Sequence, residues 1–280
     1  MEKLRKALEK VKQEKAGEKG EMDRKDAQAF GTPEDKSGRL SPVYSRSQSY
    51  ELDPKALADH RLVCFSSESF EIEFYKILRT QVLQRTRPNQ WNTIMVTSAL
   101  PGEGKTLTAI NLALTFAKEF NHTVLLVDCD FRQQQVHKAM GIPSELGLID
   151  ALMEGRPLQE LIIWPGIERL TIISGGRTIT DTSEVLNSAK MGTLVSEIKS
   201  RYHDRYIFFD VPPVLSVADA VAFAPLVDAI LMVVWAEKTS LQDIKRAVEL
   251  IPKEKFLGFV LNRQSVSPSA YSGAYYRRVS

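Results

Sequence analysis

From about residue 93 onward the chain alternates between two textures. Short continuous apolar runs at 93–98, 123–128, 170–174, 206–210, 229–235 and 256–261 are separated by segments whose apolar residues recur every three or four positions. The unbroken stretches VLLV, YIFF and ILMVV predict strands covered on both faces, because a strand with one wet face would alternate apolar and polar side chains. The periodic segments predict helices at 107–120, where Ile110, Leu114 and Ala117 share a face, and at 191–202, 216–224 and 240–250. Shorter helices are expected around 148–153 and 158–162. An earlier helix, with Ser66 or Ser67 as N-cap, carries Phe70, Phe74, Ile77, Leu78 and Val82 and ends near Pro88. Strand and helix in alternation predict a doubly wound α/β fold: a mostly parallel sheet with helices on both faces and a ligand crevice beyond the carboxyl ends of its strands.

The flanks read differently. Residues 1–20 form a charged helix candidate with Leu4, Ala7, Leu8 and Val11 on one stripe; a partner-docking face and a marginal helix are both open readings. Residues 21–65 are expected to be a flexible tether, 66–264 the main domain, and 265–280 a flexible tail. A chain of 280 residues suits one large domain with appendages. The net charge of +2 comes from the first 50 residues, with 12 Lys/Arg against 9 Asp/Glu. The rest is near neutral, so no broad basic face for nucleic acid is expected. The apolar run at 229–236 is far shorter than the roughly 20 residues of a membrane-spanning helix, and the first 20 residues are too charged for a signal peptide. Cys64 and Cys129 stand far apart without a CxxC pattern, which fits a reducing compartment, and a cytoplasmic location is expected. His60, His122, His137 and His203 show no ligand spacing.

Candidate chemistry concentrates in VTSALPGEGKT, residues 96–106, where a strand enters a glycine-bearing turn and a helix follows. Backbone N–H groups of such a turn point at phosphate oxygens, Lys reaches the β- and γ-phosphates, and the next hydroxyl ligates Mg²⁺. The expected cradle is Pro101, Gly102, Glu103, Gly104, Lys105, Thr106 and Leu107, with Ala99 in place of the usual first glycine. Two more strands end in acids. VLLVDCDFR supplies Asp128 and Asp130, and YIFFDVPP supplies Asp210. In a parallel sheet these ends converge on the crevice that holds the phosphate turn. Mg²⁺ wants such oxygen ligands, and transfer to a protein hydroxyl needs an acid to take its proton. The tail SVSPSAYSGAYYRRVS sets Tyr271, Tyr275 and Tyr276 among small residues, suited to carrying a phenol into a neighbouring site.

With these motifs in hand, the sequence resembles the bacterial tyrosine kinases of capsular and exopolysaccharide assembly, a branch of the P-loop group that includes the partition ATPases. The resemblance runs from about Phe70 to the C-terminus. It implies an ATP- and Mg²⁺-dependent autokinase with phosphate contact at Lys105 and catalytic or metal-organising roles for Asp128, Asp130 and Asp210. Thr106, Asp128 and Asp210 are the implied metal residues, and Asn262 in GFVLNR faces the adenine. The resemblance further implies that the tail tyrosines are phosphorylated in trans within a ring, held by a Glu-x-x-Arg-x-x-Arg helix that here reads Glu73, Lys76 and Arg79. A separate membrane protein of the chain-length-determinant type is the implied activator, recruiting the chain to the inner face of the plasma membrane and linking it to polysaccharide polymerisation or export. The alternative is a partition-type ATPase switch without kinase activity. Its additional lysine falls at Leu100 here, which favours the kinase branch. Val211 follows Asp210 where the family carries Ser or Thr, so a weaker metal site is expected.

Overall fold

The computed structural model describes residues 48–50, 52–65, 70–119, 121–201 and 204–265. Ser66, Ser67, the first 47 residues and Tyr271, Tyr275 and Tyr276 lie outside these residues. The strands are β1 (Gln48–Ser49), β2 (Thr93–Ser98), β3 (Thr123–Asp128), β4 (Ile162–Trp164), β5 (Leu170–Ile173), β6 (Arg205–Asp210), β7 (Ala229–Trp235) and β8 (Phe256–Asn262). They form a single sheet in the order β1-β4-β5-β3-β6-β2-β7-β8. Every pairing is parallel except β4 with β5. The expected doubly wound, mostly parallel architecture is therefore present.

All six positions of β2, β3 and β6 are buried, as their unbroken apolar runs require. Successive side chains go to opposite faces, so each strand feeds two cores. Ile94, Val96, Val124, Leu126 and Phe208 enter one core, while Met95, Leu125, Val127, Ile207 and Phe209 enter the other. The first core is covered by α2 (Glu71–Thr86) and α3 (Lys105–Ala117). The second is covered by α8 (Ala189–Arg201), α9 (Asp219–Phe223) and α10 (Leu241–Glu249). Ser240 caps α10 by accepting the Asp243 backbone N–H. No helix among the described residues is long and apolar enough to cross a membrane.

Two expectations need correction. Residues 48–65 do not read as a tether: β1 pairs with β4, α1 (Pro54–Asp59) follows, and Leu52, Leu57, Leu62 and Cys64 are buried in the first core. The helix expected at 158–162 is a single turn, α6 (Leu158–Leu161), after which Ile162 already starts β4. The remaining short helices α4 (Val136–Met140) and α7 (Thr182–Leu186), set on either side of α5 (Leu148–Glu154), had no clear periodic signal. The first described turn of α2 starts at Glu71, and Phe70 in its N-cap position makes no side-chain cap bond.

Candidate active site

The glycine turn sits where strand passes into helix. Backbone hydrogen bonds from Val211 to Val96, Val214 to Ser98 and Leu215 to Ala99 stitch the segment after β6 along the end of β2 and the start of the turn. Gly102 and Gly104 both have positive φ, 78° and 95°, a region that glycine enters without steric cost. At Gly104 a Cβ would also fall 2.1 Å from Asn262 Nδ2, so a side chain there is excluded twice. Ala99 has no positive φ and lies fully buried in the second core, so the departure from glycine leaves the backbone unstrained. The N-terminus of α3 then opens at Lys105, with its leading N–H groups free of intrahelical partners.

Side chains of the turn divide into those that face the crevice and those that brace it. Glu103 is 2% exposed and fully engaged: Oε2 accepts the Leu100 N–H at 2.9 Å, and Oε1 accepts the Thr239 hydroxyl and the Trp235 N–H. Its carboxylate is thus a brace to the end of β7, and only its backbone is left for phosphate. Asn262, at the end of β8, donates from Nδ2 to the Glu103 carbonyl at 2.7 Å. The sequence places Glu103 in the cradle but carries no sign of this brace, because its partners lie some 130 residues away along the chain.

Facing the crevice, Lys105 Nζ lies 2.9 Å from Asp130 Oδ2 and 3.5 Å from Asp210 Oδ1. Thr106 Oγ1 donates to Asp210 Oδ2 at 2.6 Å. Asp128 pairs in register with Asp210 across the β3–β6 ladder, and its two oxygens accept the N–H groups of Asp130 and Val136 at 3.0 and 3.1 Å. Asp128 and Asp210 are completely buried, and Lys105 and Asp130 nearly so. The sheet thus brings together one ammonium, one hydroxyl and three carboxylates from strands far apart in sequence.

Burial and crowding of like charge have consequences for protonation. Desolvation, then the Asp210 charge, pushes the Asp128 carboxyl up to about 8, against the pull of the Val136 N–H and Lys105. Asp210 is also raised, mainly by burial, with Lys105 and the Thr106 hydroxyl opposing. Burial disfavours the Lys105 ammonium, but Asp210 and Asp130 outweigh it and the net direction is upward. Cys129, between the two acids of the second motif, is buried, and desolvation holds its thiol well above the ordinary range.

The donor set fits Mg²⁺ and a polyphosphate. Its oxygens are hard, and a hydroxyl with one or two carboxylates is the protein share of ligands that an ion also bound by substrate phosphates uses. Val211 is fully buried in the second core and offers no hydroxyl.

The proposed oligomer triad is divided. Glu73 and Lys76 pair with each other at 2.6 Å on the exposed face of α2. Arg79 turns inward, donating from Nη1 to the Thr115 carbonyl at 2.8 Å with Nε 3.7 Å from Glu119.

A parallel sheet with a lysine-bearing phosphate turn and acids at neighbouring strand ends defines a P-loop nucleotide-binding protein. A family profile described as "AAA domain" matches residues 91–256. The tyrosine-protein kinase YwqD of Bacillus subtilis is 31% identical over 210 residues, spanning 74% of this chain and 87% of that protein. The tyrosine-protein kinase CpsD of Streptococcus pneumoniae is 30% identical over 202 residues, 71% of this chain and 87% of its own. Among solved structures, the chimerical protein CapA2B2 superposes with a TM-score of 0.66 at 28% identity, covering 81% of this chain and 96% of that one. The chain belongs to the bacterial tyrosine kinases and is a protein-tyrosine kinase.

Proposed function

We propose that the chain transfers the terminal phosphoryl group of ATP to Tyr271, Tyr275 and Tyr276 of another copy, and that this autophosphorylation regulates exopolysaccharide or capsule chain polymerisation or export. The observation that carries this reading is the Lys105 ammonium held between Asp130 and Asp210, with Thr106 joined to Asp210, at the mouth of a parallel sheet. Backbone N–H groups of residues 102–107 bind the phosphates, and Lys105 leaves its carboxylate partners to neutralise the β- and γ-oxygens. Thr106, Asp210 and Asp128 would hold Mg²⁺, which would draw charge off the phosphoryl oxygens. Asn262, beside the turn, is assigned to the base. A tyrosine phenol with pKa near 10 is a poor nucleophile at neutral pH, so a carboxylate must accept its proton. Asp128 and Asp130 both lie at the end of β3, and we assign the proton to a carboxylate of this pair.

The kinase domain extends from the β1 region to about residue 264, and the tyrosine segment follows it. Glu73 and Lys76 supply the exposed charges for a ring of copies, with Arg79 positioning α2 against α3. Recruitment to the inner membrane face rests on a separate chain-length-determinant protein.

Mixing two variants tests both the chemistry and its direction. A chain truncated after Pro268 keeps the proposed site without acceptors, and full-length Lys105→Met keeps the acceptors without the ammonium. Phosphotyrosine on the Lys105→Met chain only when both are present with Mg-ATP is the expected result. Phosphate release with no labelled protein points to the partition-type switch instead, and labelling of wild type that never passes to the Lys105→Met chain overturns transfer in trans.

A further inference from the structure

The segment ahead of α2 has no part in the steps above, yet it is fastened to two of the elements that build the site. At residues 61–65 it runs beside α3. Asn111, completely buried in the second turn of that helix, engages both ends of its amide there: Oδ1 accepts the Cys64 N–H at 3.0 Å, and Nδ2 donates to the Arg61 carbonyl at 3.2 Å and the Leu107 carbonyl at 3.0 Å. At the C-cap of α3, Lys118 Nζ meets the Phe65 carbonyl at 3.4 Å. Arg61 has a φ of 58°, a left-handed conformation that a non-glycine residue keeps only where its surroundings enforce it. A satisfied buried amide fixes one placement of the elements it joins, where apolar contact alone tolerates sliding.

The other end of the segment sits against the acidic motif. α1 packs on α4, with Leu57, Val136 and Met140 together in the first core. Val136 opens α4 and gives its N–H to Asp128 Oδ2 at 3.1 Å. Leu62, 2% exposed, joins the two ends, its N–H donating to the Leu57 carbonyl at 2.9 Å. Residues 57–64 thus tie the helix whose first turn carries Lys105, Thr106 and Leu107 to the helix whose first N–H holds Asp128. Within α3, Asn111 grips the carbonyl of Leu107, the last residue of the phosphate cradle.

We propose that residues 57–64 are a strap that sets the spacing between the phosphate turn and the acids, and that Asn111 is the positioning residue through which it acts on nucleotide. The proposal rests on the nucleotide reading given above. Phosphates are met by the N–H groups at the start of α3, and their fit depends on where that helix stands relative to Asp128 and Asp210. A helix released from the strap keeps its own hydrogen bonds but loses its fixed placement, so nucleotide affinity falls along with stability.

Two variants of the full chain cut the strap at different points. Asn111→Ser can still bond the Leu107 carbonyl within its own helix but cannot span to residues 61 and 64. Leu62→Ala removes apolar volume from the middle of the strap and leaves the Asn111 side chain in place. Both are expected to weaken Mg-ADP binding roughly tenfold in calorimetric titrations well below their melting temperatures. Both should also speed hydrogen exchange at amides 102–108 of the nucleotide-free protein. Asp228→Asn is the control: it loosens the amino end of β2, where that carboxylate accepts the Asn92 and Thr93 N–H groups, and should lower the melting temperature with affinity and exchange at 102–108 unchanged. Strap variants that lose melting temperature and nothing else overturn the proposal, and so does an equal loss of binding in Asp228→Asn. If Asn111→Ser does not fold, Leu62→Ala carries the test. Wild-type protein that binds no Mg-ADP overturns the underlying nucleotide reading as well, whereas wild type that binds it, with strap variants indistinguishable from it, removes only the strap.

Discussion

Two sets of aspartates sit at opposite ends of the same sheet and have opposite characters. Beside the amino end of β2, Asp228 accepts the N–H groups of Asn92 and Thr93 and the Thr93 hydroxyl, and pairs with Lys199. Burial alone would raise its carboxyl, but Lys199 and these donors carry it below the usual range. At the carboxyl end, Asp128 and Asp210 are buried against each other with fewer donors, and both are displaced upward. Asp228 is a finished lock; at the other end Lys105 and the nearby donors do not offset the cost of burying the pair. Residue type is the same, and the surrounding donors decide whether the acid stabilises the fold or serves chemistry.

Exchanging each acid for its amide is the sharpest way to break this contrast. Asp128→Asn is expected to lower autophosphorylation by about 10²–10⁴-fold through loss of a carboxylate of the Asp128/Asp130 pair, with a smaller loss of stability than Asp228→Asn. Asp228→Asn is expected to leave the rate near wild type and to cost about 1–3 kcal/mol of stability, read from denaturant unfolding. If Asp228→Asn reduced the rate as much as Asp128→Asn, the two ends would not differ in kind.

Acidity offers a second test, smaller in size. Because the folded chain holds a proton on Asp128 more tightly than the unfolded chain does, stability without nucleotide is full below the ordinary carboxylate range near 3.8 and is lost as pH rises toward about 8. Melting temperature of the nucleotide-free protein should therefore fall between pH 5 and 8, and Asp128→Asn should flatten the slope. Asp228, displaced downward, acts in the opposite sense: its contribution is present above the ordinary range and lost as pH falls through its lowered value. A slope that Asp128→Asn leaves intact would remove the electrostatic basis of the comparison.

The smallest expected effect concerns the brace. Glu103→Ala frees the turn from Thr239 and Trp235 and should raise KM for ATP about 5–30-fold with kcat little changed, whereas Glu103→Gln keeps the shape and should lie between. Steady-state kinetics at varied ATP separates the two parameters. A change confined to kcat would place Glu103 in the chemistry.

How much of this was legible in the chain depends on whether the signal is local. The strands at 93–98, 123–128 and 229–235 were readable to the residue, since double-sided burial writes an unbroken apolar run. Lys105, Thr106, Asp128, Asp130 and Asp210 were readable because motif spacing fixes them at the start of a helix and at strand ends, and the fold gathers them. Residues 48–65 were not. Leu52, Leu57 and Leu62 are spaced by five, which matches neither helix nor strand, and they are buried by tertiary contact along an irregular path. The three residues of β4 are too few to carry a period, and the inward turn of Arg79 depends on Thr115 and Glu119 in another helix. The pairing of Arg132 with Asp219 likewise joins residues 87 positions apart, which no short motif encodes.

The concealed sulfurs have a practical meaning. Cys64 and Cys129 are the chain's two cysteines, both are buried, and desolvation drives each thiol away from its reactive form, Cys64 to about 12. The native protein is therefore nearly blank to maleimide dyes, and a lone cysteine introduced at Ser280 would let fluorescence follow the chain end from one copy to the next.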